Sequence, residues 1–209
     1  MIMTAGIQYN VDQKEFWERM FQAGVMPWDI GKAAPPLETF LKSPYAVCPG
    51  SIAVLGCGSG HDCMLFARHN FQVTGVDFAP TAIQITHRRF LDAGMSGKTG
   101  FLLERDLFSL HDYNSYFNYA LEHAFFNSID RSRRRTYAQK VRDLLKPGGK
   151  LIGLWWIDDA PGGPPFGIAK DELFRLFEPF FTLDPVVFTP TNSAPGRQGK
   201  ELFTLMTRR

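Results

Sequence analysis

The segment Leu55-Gly56-Cys57-Gly58-Ser59-Gly60-His61-Asp62 constrains the chain more than any other. Three glycines in five positions follow a short apolar run, Ser51 to Leu55, and precede a run with helical character, His61 to His69. A strand that passes through a glycine-rich turn into a helix is the opening unit of a doubly wound α/β sheet. Glycine turns sharply there and lets a ligand reach the main chain at the carboxyl edge of the strands. Asp77 lies 21 residues after Gly56, at the end of a second run, Phe71 to Val76, where a carboxylate can accept both hydroxyls of a ribose. The spacing is GxGxG, and His61 fills the position that is glycine in the dinucleotide fingerprint, which weakens a pyrophosphate reading. Nicotinamide and S-adenosylmethionine sites share this glycine-to-aspartate unit. A glycine turn that serves only as a tight connection remains the bland alternative.

The rest of the chain continues the alternation. Thr81 to Leu91 reads as an amphipathic helix between Pro80 and Gly94, and Phe101 to Leu103 as a strand. Tyr116 to Leu121 is a further strand, followed by a helix over Arg131 to Leu145 that Lys146-Pro147-Gly148-Gly149 stops. Lys150 to Ile157 is the fifth strand. After a short helix, Asp171 to Phe177, two runs without an intervening helix, Phe181 to Phe188 and Glu201 to Thr207, predict an antiparallel hairpin closing a mainly parallel sheet. A nicotinamide fold alternates to its end; S-adenosylmethionine-dependent methyltransferases add such a hairpin. One domain is expected over 1–209, with a core over 50–209 and an amino-terminal segment, 1–45, that carries a helix over Asp12 to Gln22.

Composition narrows the partners. Lys plus Arg is 23 against 21 for Asp plus Glu, and a net charge of +2 gives no field for nucleic acid or an anionic membrane. No apolar run of about 18 residues spans a bilayer and no secretory signal opens the chain, so a cytoplasmic monomer acting on a small molecule is expected. Cys48, Cys57 and Cys63 match no zinc spacing and read as small buried residues; no metal is expected. Arg131-Ser132-Arg133-Arg134-Arg135 reads as a solvated helix face begun by Asp130. No Asn-Pro-Pro-Tyr run of the nucleic-acid amino-methyltransferases follows the fourth strand, nor does a Pro-Cys pair of the cytosine C5 enzymes occur.

Phe16-Trp17-Glu18, Met26-Pro27-Trp28-Asp29-Ile30-Gly31, the Leu55-to-Asp62 turn, Gly75-Val76-Asp77 and Leu144-Leu145-Lys146-Pro147-Gly148-Gly149 together resemble the thiopurine S-methyltransferase superfamily. Gly162-Gly163-Pro164-Pro165-Phe166 tilts the resemblance toward its halide/thiol (thiocyanate) methyltransferase branch. It implies a class I S-adenosylmethionine-dependent methyltransferase fold, with S-adenosylmethionine as donor and S-adenosylhomocysteine as product. It also implies that Trp17, Phe21 and Trp28, with Gly31 beside them, cover the cofactor. Phe21 stands where the branch has an indole, and Asn118 where it tends to have aspartate. Gly56, Asp77, Asp106 and Leu107 match cofactor positions, with Gly58, Gly60 and Phe78 as further cofactor-binding candidates in the same turns, and His123 falls where a tyrosine usually lies beside the cofactor.

The residues agree with these roles on physical grounds. Trp17, Met20 and Phe21 form an apolar stripe that must cover something, and Trp28, held by Pro27, can meet a sulfonium through its ring face. Asp29 suits a turn cap as well as a ligand contact. His123, in the run Glu122 to Asn127, is the candidate catalytic group, for positioning or for taking a proton. Trp156 with Gly162, Pro164, Pro165 and Phe166 would form a substrate lid, the last four by resemblance, while at least one of Trp155 and Trp156 is buried in the strand. The expected reaction is methyl transfer by in-line displacement to a small soft nucleophile such as a thiol, hydrosulfide, halide or thiocyanate. Such acceptors need little or no deprotonation. A small-molecule O-methyltransferase and a nicotinamide-dependent oxidoreductase are the rival readings.

Overall fold

A computed structural model describes residues 10–95, 97, 99–158 and 160–209. Two short helices come first, α1 (Lys14–Gln22) and α2 (Pro35–Leu41). β1 (Ser51–Leu55), α3 (His61–Arg68), β2 (Gln72–Asp77), α4 (Pro80–Asp92), β3 (Thr99–Glu104), β4 (Phe117–His123), α5 (Arg134–Leu144) and β5 (Leu145–Trp156) then alternate. The chain finishes with α6 (Lys170–Phe177), β6 (Phe181–Phe188) and β7 (Glu201–Arg208). The strands form a single seven-stranded sheet in the order β3-β2-β1-β4-β5-β7-β6. β1 pairs in parallel with both β2 and β4, so the chain winds outward one way to β3 and then back the other way from β4. That reversal is the switch point at which open α/β sheets bind ligands, beyond the carboxyl ends of the strands.

Side-chain alternation divides the core between the two faces. Ala53, Leu55, Val76, Ala120, Leu151 and Trp155 point to the face covered by α5 and α6, where Tyr137, Val141, Leu173 and Phe177 meet them. Their neighbours Ile52, Val54, Val73, Leu121, Ile152 and Leu154 point to the other face, covered by α2 and α3 through Leu37, Phe40, Met64 and Phe66. A parallel strand buried on both faces has no polar side, which is why Ser51 to Leu55 reads as an unbroken apolar run. α4 buries Ala82, Thr86 and Phe90, one per turn along a single stripe. The carboxy-terminal hairpin is present: β7 runs antiparallel to both β5 and β6. The β6–β7 register shifts between Leu183 and Val187, around Pro185, which cannot donate to the ladder and sits on the edge strand.

Several boundaries differ from expectation. α2 adds a second helix to the amino-terminal segment, where the sequence predicts only one. Pro35 and Pro36 occupy its first positions, where their fixed φ starts the helix and no amide is needed. The helix expected over Arg131 to Leu145 begins as a single 3-10 turn, Arg131–Arg133, capped by Asp130, and becomes α-helical only at Arg134. Lys146 to Gly149 does not separate helix from strand: Leu145 already pairs with Phe117, and the Pro-Gly-Gly turn, with Gly148 at φ +72°, is a register shift inside β5. Cys57 and Cys63 are buried as expected, but Cys48 is exposed in the loop before β1. Among the described residues no helix is long and apolar enough to cross a membrane.

Candidate active site

The glycine turn takes its shape from two kinds of requirement. Gly56, Gly58 and Gly60 all have positive φ, and a Cβ on Gly56 would lie 2.3 Å from the Phe125 ring. One on Gly60 would lie 2.6 Å from Thr86 of α4, so this glycine serves close packing of the turn on the helix rather than the open side. Gly58 N donates to Asp77 Oδ2 at 3.0 Å, and its carbonyl accepts from Thr86 Oγ1. Asp77 Oδ1 accepts from Ala79 N at 3.0 Å. Asp77 therefore ties the turn after β1 to the turn after β2. Its burial pushes the carboxyl up to about 6, against the pull of the Ala79 and Gly58 amides.

Beyond these turns lies a narrow cleft, lined by Trp17, Gly56, Asp77, Phe78, Asp106 and Leu107 among the residues singled out from sequence. Val11, Asp12, Arg105, Phe108, Phe125 and Arg133 also line it. Phe125 belongs to the run Glu122 to Asn127 and Arg133 to the basic cluster, whereas nothing in the sequence singles out Val11 or Arg105, which the fold brings in from other loops. Asp106 Oδ1 accepts from Phe108 N at 2.9 Å and so caps the turn it begins, while its residue still borders the cleft. Arg133 is not part of a solvated face. Its guanidinium lies 3.7 Å from the Phe108 ring centre and 3.2 Å from Asp12, which also accepts from Asp130 N, so residues 11 and 12 are strapped across the cleft to the start of α5.

The amino-terminal aromatics gather over the glycine turn. Trp28 packs edge-on against both Trp17 (5.3 Å) and Phe21 (5.6 Å), and Phe21 lies nearest the open side of Gly58. Glu18 fastens this cap to α4 by accepting from Thr81 N and Thr81 Oγ1 at the helix start. Asp29 takes its turn-capping role: it accepts from Gly31 N at 2.7 Å and faces His61 Nε2 at 3.2 Å. Gly31, at φ +72°, is exposed and has open space around its Cβ position, so the structure places it at a turn of the cap and outside the cleft.

His123 also stands outside the cleft lining, and both its ring nitrogens are engaged. Nδ1 lies 2.7 Å from Asp62 Oδ2, and Nε2 lies 2.9 Å from Arg197 Nη1. Burial pushes Asp62 up, but the His123 imidazole and the Ala34 amide that face it hold it below the ordinary carboxylate range. Glu122, the neighbouring residue on β4, is fully buried beneath the site and accepts from Phe126 N and from Tyr137 Oη. Asn118 lies at the opposite, amino-terminal end of β4, where it bridges to Ser51.

The expected lid is pinned at its far end. Asn127 Nδ2 donates to the carbonyls of Trp156 and Phe166, its Oδ1 accepts from Trp156 N, and its carbonyl accepts from Phe166 N. Arg134, also expected on a solvated face, is 4% exposed; it donates to the carbonyls of Phe166 and Gly167 and lies over the Phe126 ring. A Cβ on Gly163 would strike the Phe166 ring at 2.3 Å, so that glycine lets the ring fold back. Gly162, Pro164 and Pro165 sit on the exposed turn before it, and residue 159 lies outside the described residues. Trp155 is the buried one of the two indoles, donating to Thr204 Oγ1, while Trp156 is half-buried under Lys200.

The cleft brings acidic and apolar groups together at the switch point of the sheet. Gly56 and the Phe125 ring packed on it lie at its floor, Leu107 and Phe108 offer apolar walls, and Asp77 and Asp106 bring carboxylates to its edge. Residues 12–191 match the thiopurine S-methyltransferase family. The chain is 32% identical to a probable thiol methyltransferase 2 of Arabidopsis thaliana, over 78% of this chain and 71% of that one. It is also 32% identical to thiocyanate methyltransferase 1 of Brassica oleracea, over 88% and 81%. In fold it resembles the 1,6-didemethyltoxoflavin-N1-methyltransferase of Burkholderia thailandensis, solved with its substrate and S-adenosylhomocysteine. There the TM-score is 0.74, with 18% identity over 99% of this chain and 93% of that one. The chain belongs to the thiopurine S-methyltransferase family, and is an S-adenosylmethionine-dependent methyltransferase.

Proposed function

We propose that the acceptor is a small soft nucleophile: a thiol, hydrosulfide, halide, thiocyanate or related chalcogen anion. The observation that carries this reading is the engagement of His123. The imidazole placed where a base would be sought already meets Asp62 and Arg197, so it favours an acceptor that arrives ionised or nearly so. When bound, S-adenosylmethionine would supply a methyl group on a cationic sulfur: the acceptor's lone pair would bond to that carbon as the carbon–sulfur bond opposite it breaks, leaving S-adenosylhomocysteine. The protein's part is then to position, enclose and exclude water, which can supply several kcal/mol.

In this reading Asp77 and Asp106 hold the nucleoside's hydroxyls and adenine edge above Gly56, Gly58 and Gly60, between Phe78 and Leu107. Trp17, Phe21 and Trp28 form the cover, with ring faces that attract a sulfonium. Trp156 and the turn Gly162 to Phe166 close the acceptor side. The relatives' names, thiol and thiocyanate methyltransferase, support the same acceptor class.

Gas chromatography of methylated products from iodide, hydrosulfide, thiocyanate, an aryl thiol and a phenol tests it. Turnover of at least one soft anion well above the phenol is expected. A phenol methylated faster than every sulfur and halide acceptor would overturn the reading in favour of O-methylation.

A further inference from the structure

One continuous polar chain holds the cap segment from Trp28 to Ala34 at both ends. At the far end Ala34 N donates to Asp62 Oδ1 at 3.0 Å, and Asp62 Oδ2 meets His123 Nδ1 at 2.7 Å. At the near end Arg197 Nη2 donates to the Trp28 carbonyl at 2.5 Å, while Arg197 Nη1 reaches both His123 Nε2, at 2.9 Å, and Glu201 Oε1, at 3.2 Å. A guanidinium has no acceptor, so Nε2 accepts and the single imidazole proton sits on Nδ1, donated to Asp62. Every link thus has a defined direction, from Arg197 through His123 to Asp62. The four side chains are 3–15% exposed, so water competes weakly for their hydrogen bonds.

The chain joins pieces of the molecule that are remote in sequence. Arg197 comes from the loop between β6 and β7, His123 from the end of β4 and Asp62 from the first turn of α3. The element they jointly grip carries Trp28, which packs on Trp17 and Phe21. We propose that Arg197 is a positioning residue for cofactor capture, whose two-pronged bridge to the Trp28 carbonyl and His123 holds the aromatic cap shut over the glycine turn. This rests on the assignment of the cap as the cofactor's cover. Arg197 sets donor retention rather than the methyl transfer itself, and the carboxy-terminal hairpin becomes part of the cofactor site.

Arg197→Lys is the discriminating variant. It keeps a cation beside the buried Glu201, so the fold is retained, but an ammonium cannot span His123 and the Trp28 carbonyl as a planar fork does. Hydrogen exchange of the ligand-free protein should show protection at residues 26–34, the Ala34 amide included, falling about tenfold while β1 and β4 are unchanged. S-adenosylhomocysteine should dissociate about tenfold faster, and KM for the methyl donor should rise with kcat at saturating donor unchanged, the loss expected for one charged hydrogen bond. Unchanged protection over 26–34, or a loss spread evenly through the sheet, would overturn the proposal. The double variant Arg197→Gln/Glu201→Gln, which removes both charges together, should loosen the same segment and serves if the lysine variant fails to fold. Because exchange is read without ligand, it tests the latch even if wild-type protein binds no S-adenosylhomocysteine, the separate result that would sink the cover assignment.

Discussion

Asp77 and Glu122 are both raised by burial, and the consequences differ. Asp77 stands at about 6 because the turn that positions it also strips it of water, while two backbone amides only partly compensate. Ribose hydroxyls donate to the ionised form, so binding pulls its proton off. Affinity for S-adenosylhomocysteine is expected to rise as pH increases through about 6 and then level off. Calorimetry on Asp77→Asn should show binding weaker by about 1–3 kcal/mol and without that pH step; a step that persists in the variant would assign it elsewhere. Glu122 is pushed from 4.5 to about 7 by complete burial, opposed by Tyr137 and the Phe126 amide. Within that window the folded protein retains a proton that the unfolded chain has released. Raising the pH from 4.5 to 7 therefore removes stability, on the order of 3 kcal/mol at 1.36 kcal/mol per unit. Glu122→Gln keeps an oxygen for the Phe126 amide and a group that can hydrogen-bond Tyr137 Oη by donating to it, but it cannot ionise. The melting temperature of ligand-free wild type should thus fall relative to the variant as pH rises, and parallel curves would disprove the assignment.

Between residue and fold, two elements outside the sheet border the glycine turn and the end of β5. The cap is light. α1 rests on α4 through the two hydrogen bonds accepted by Glu18 and through the Trp17, Phe21 and Trp28 cluster around Ala79 and Ala82. Trp28→Ala should accordingly weaken S-adenosylhomocysteine binding far more than it lowers the melting temperature of the ligand-free protein. Equal binding by both proteins would remove Trp28 from the cover. The segment ending at Phe166 is fixed differently, by buried polar groups. Asn127 alone satisfies three backbone groups of Trp156 and Phe166. Asn127→Ala leaves those groups unpaired and is expected to cost about 3 kcal/mol in urea unfolding, with a raised KM for the acceptor. A loss below about 0.5 kcal/mol would mean that water replaces the amide. If this segment moves as a lid, the exposed turn Gly162 to Pro165 is the mobile part and Phe166 its hinge end.

On the scale of the whole molecule, a ligand that binds only the folded state stabilises it by mass action. S-adenosylhomocysteine at a hundred times its dissociation constant should add about 2.7 kcal/mol to unfolding, whereas NADH should add nothing; a melting temperature raised by NADH alone would restore the oxidoreductase reading. The sheet was largely legible beforehand. Ser51 to Leu55 and Phe181 to Phe188 form strands over the expected spans, and the glycine turn with Asp77 falls at the switch point. Period and turn chemistry are local properties, written into neighbouring residues. Helix boundaries were less legible at Pro35 and at Arg131 to Arg133, where one residue type serves both to break and to begin a helix. Least legible were the partners of charged groups. Arg133 and Arg134 look like any basic helix face until the fold sets Phe108, Asp12 and the Phe166 carbonyl beside them. His123 likewise looks like a free base until Arg197, 74 residues later, is seen to occupy it. The chain by itself thus determined the architecture, the cofactor class and the family, since these rest on patterns within short stretches. Only the tertiary structure decided which partners the ionisable groups take, because such pairings depend on distances in space that sequence separation does not encode.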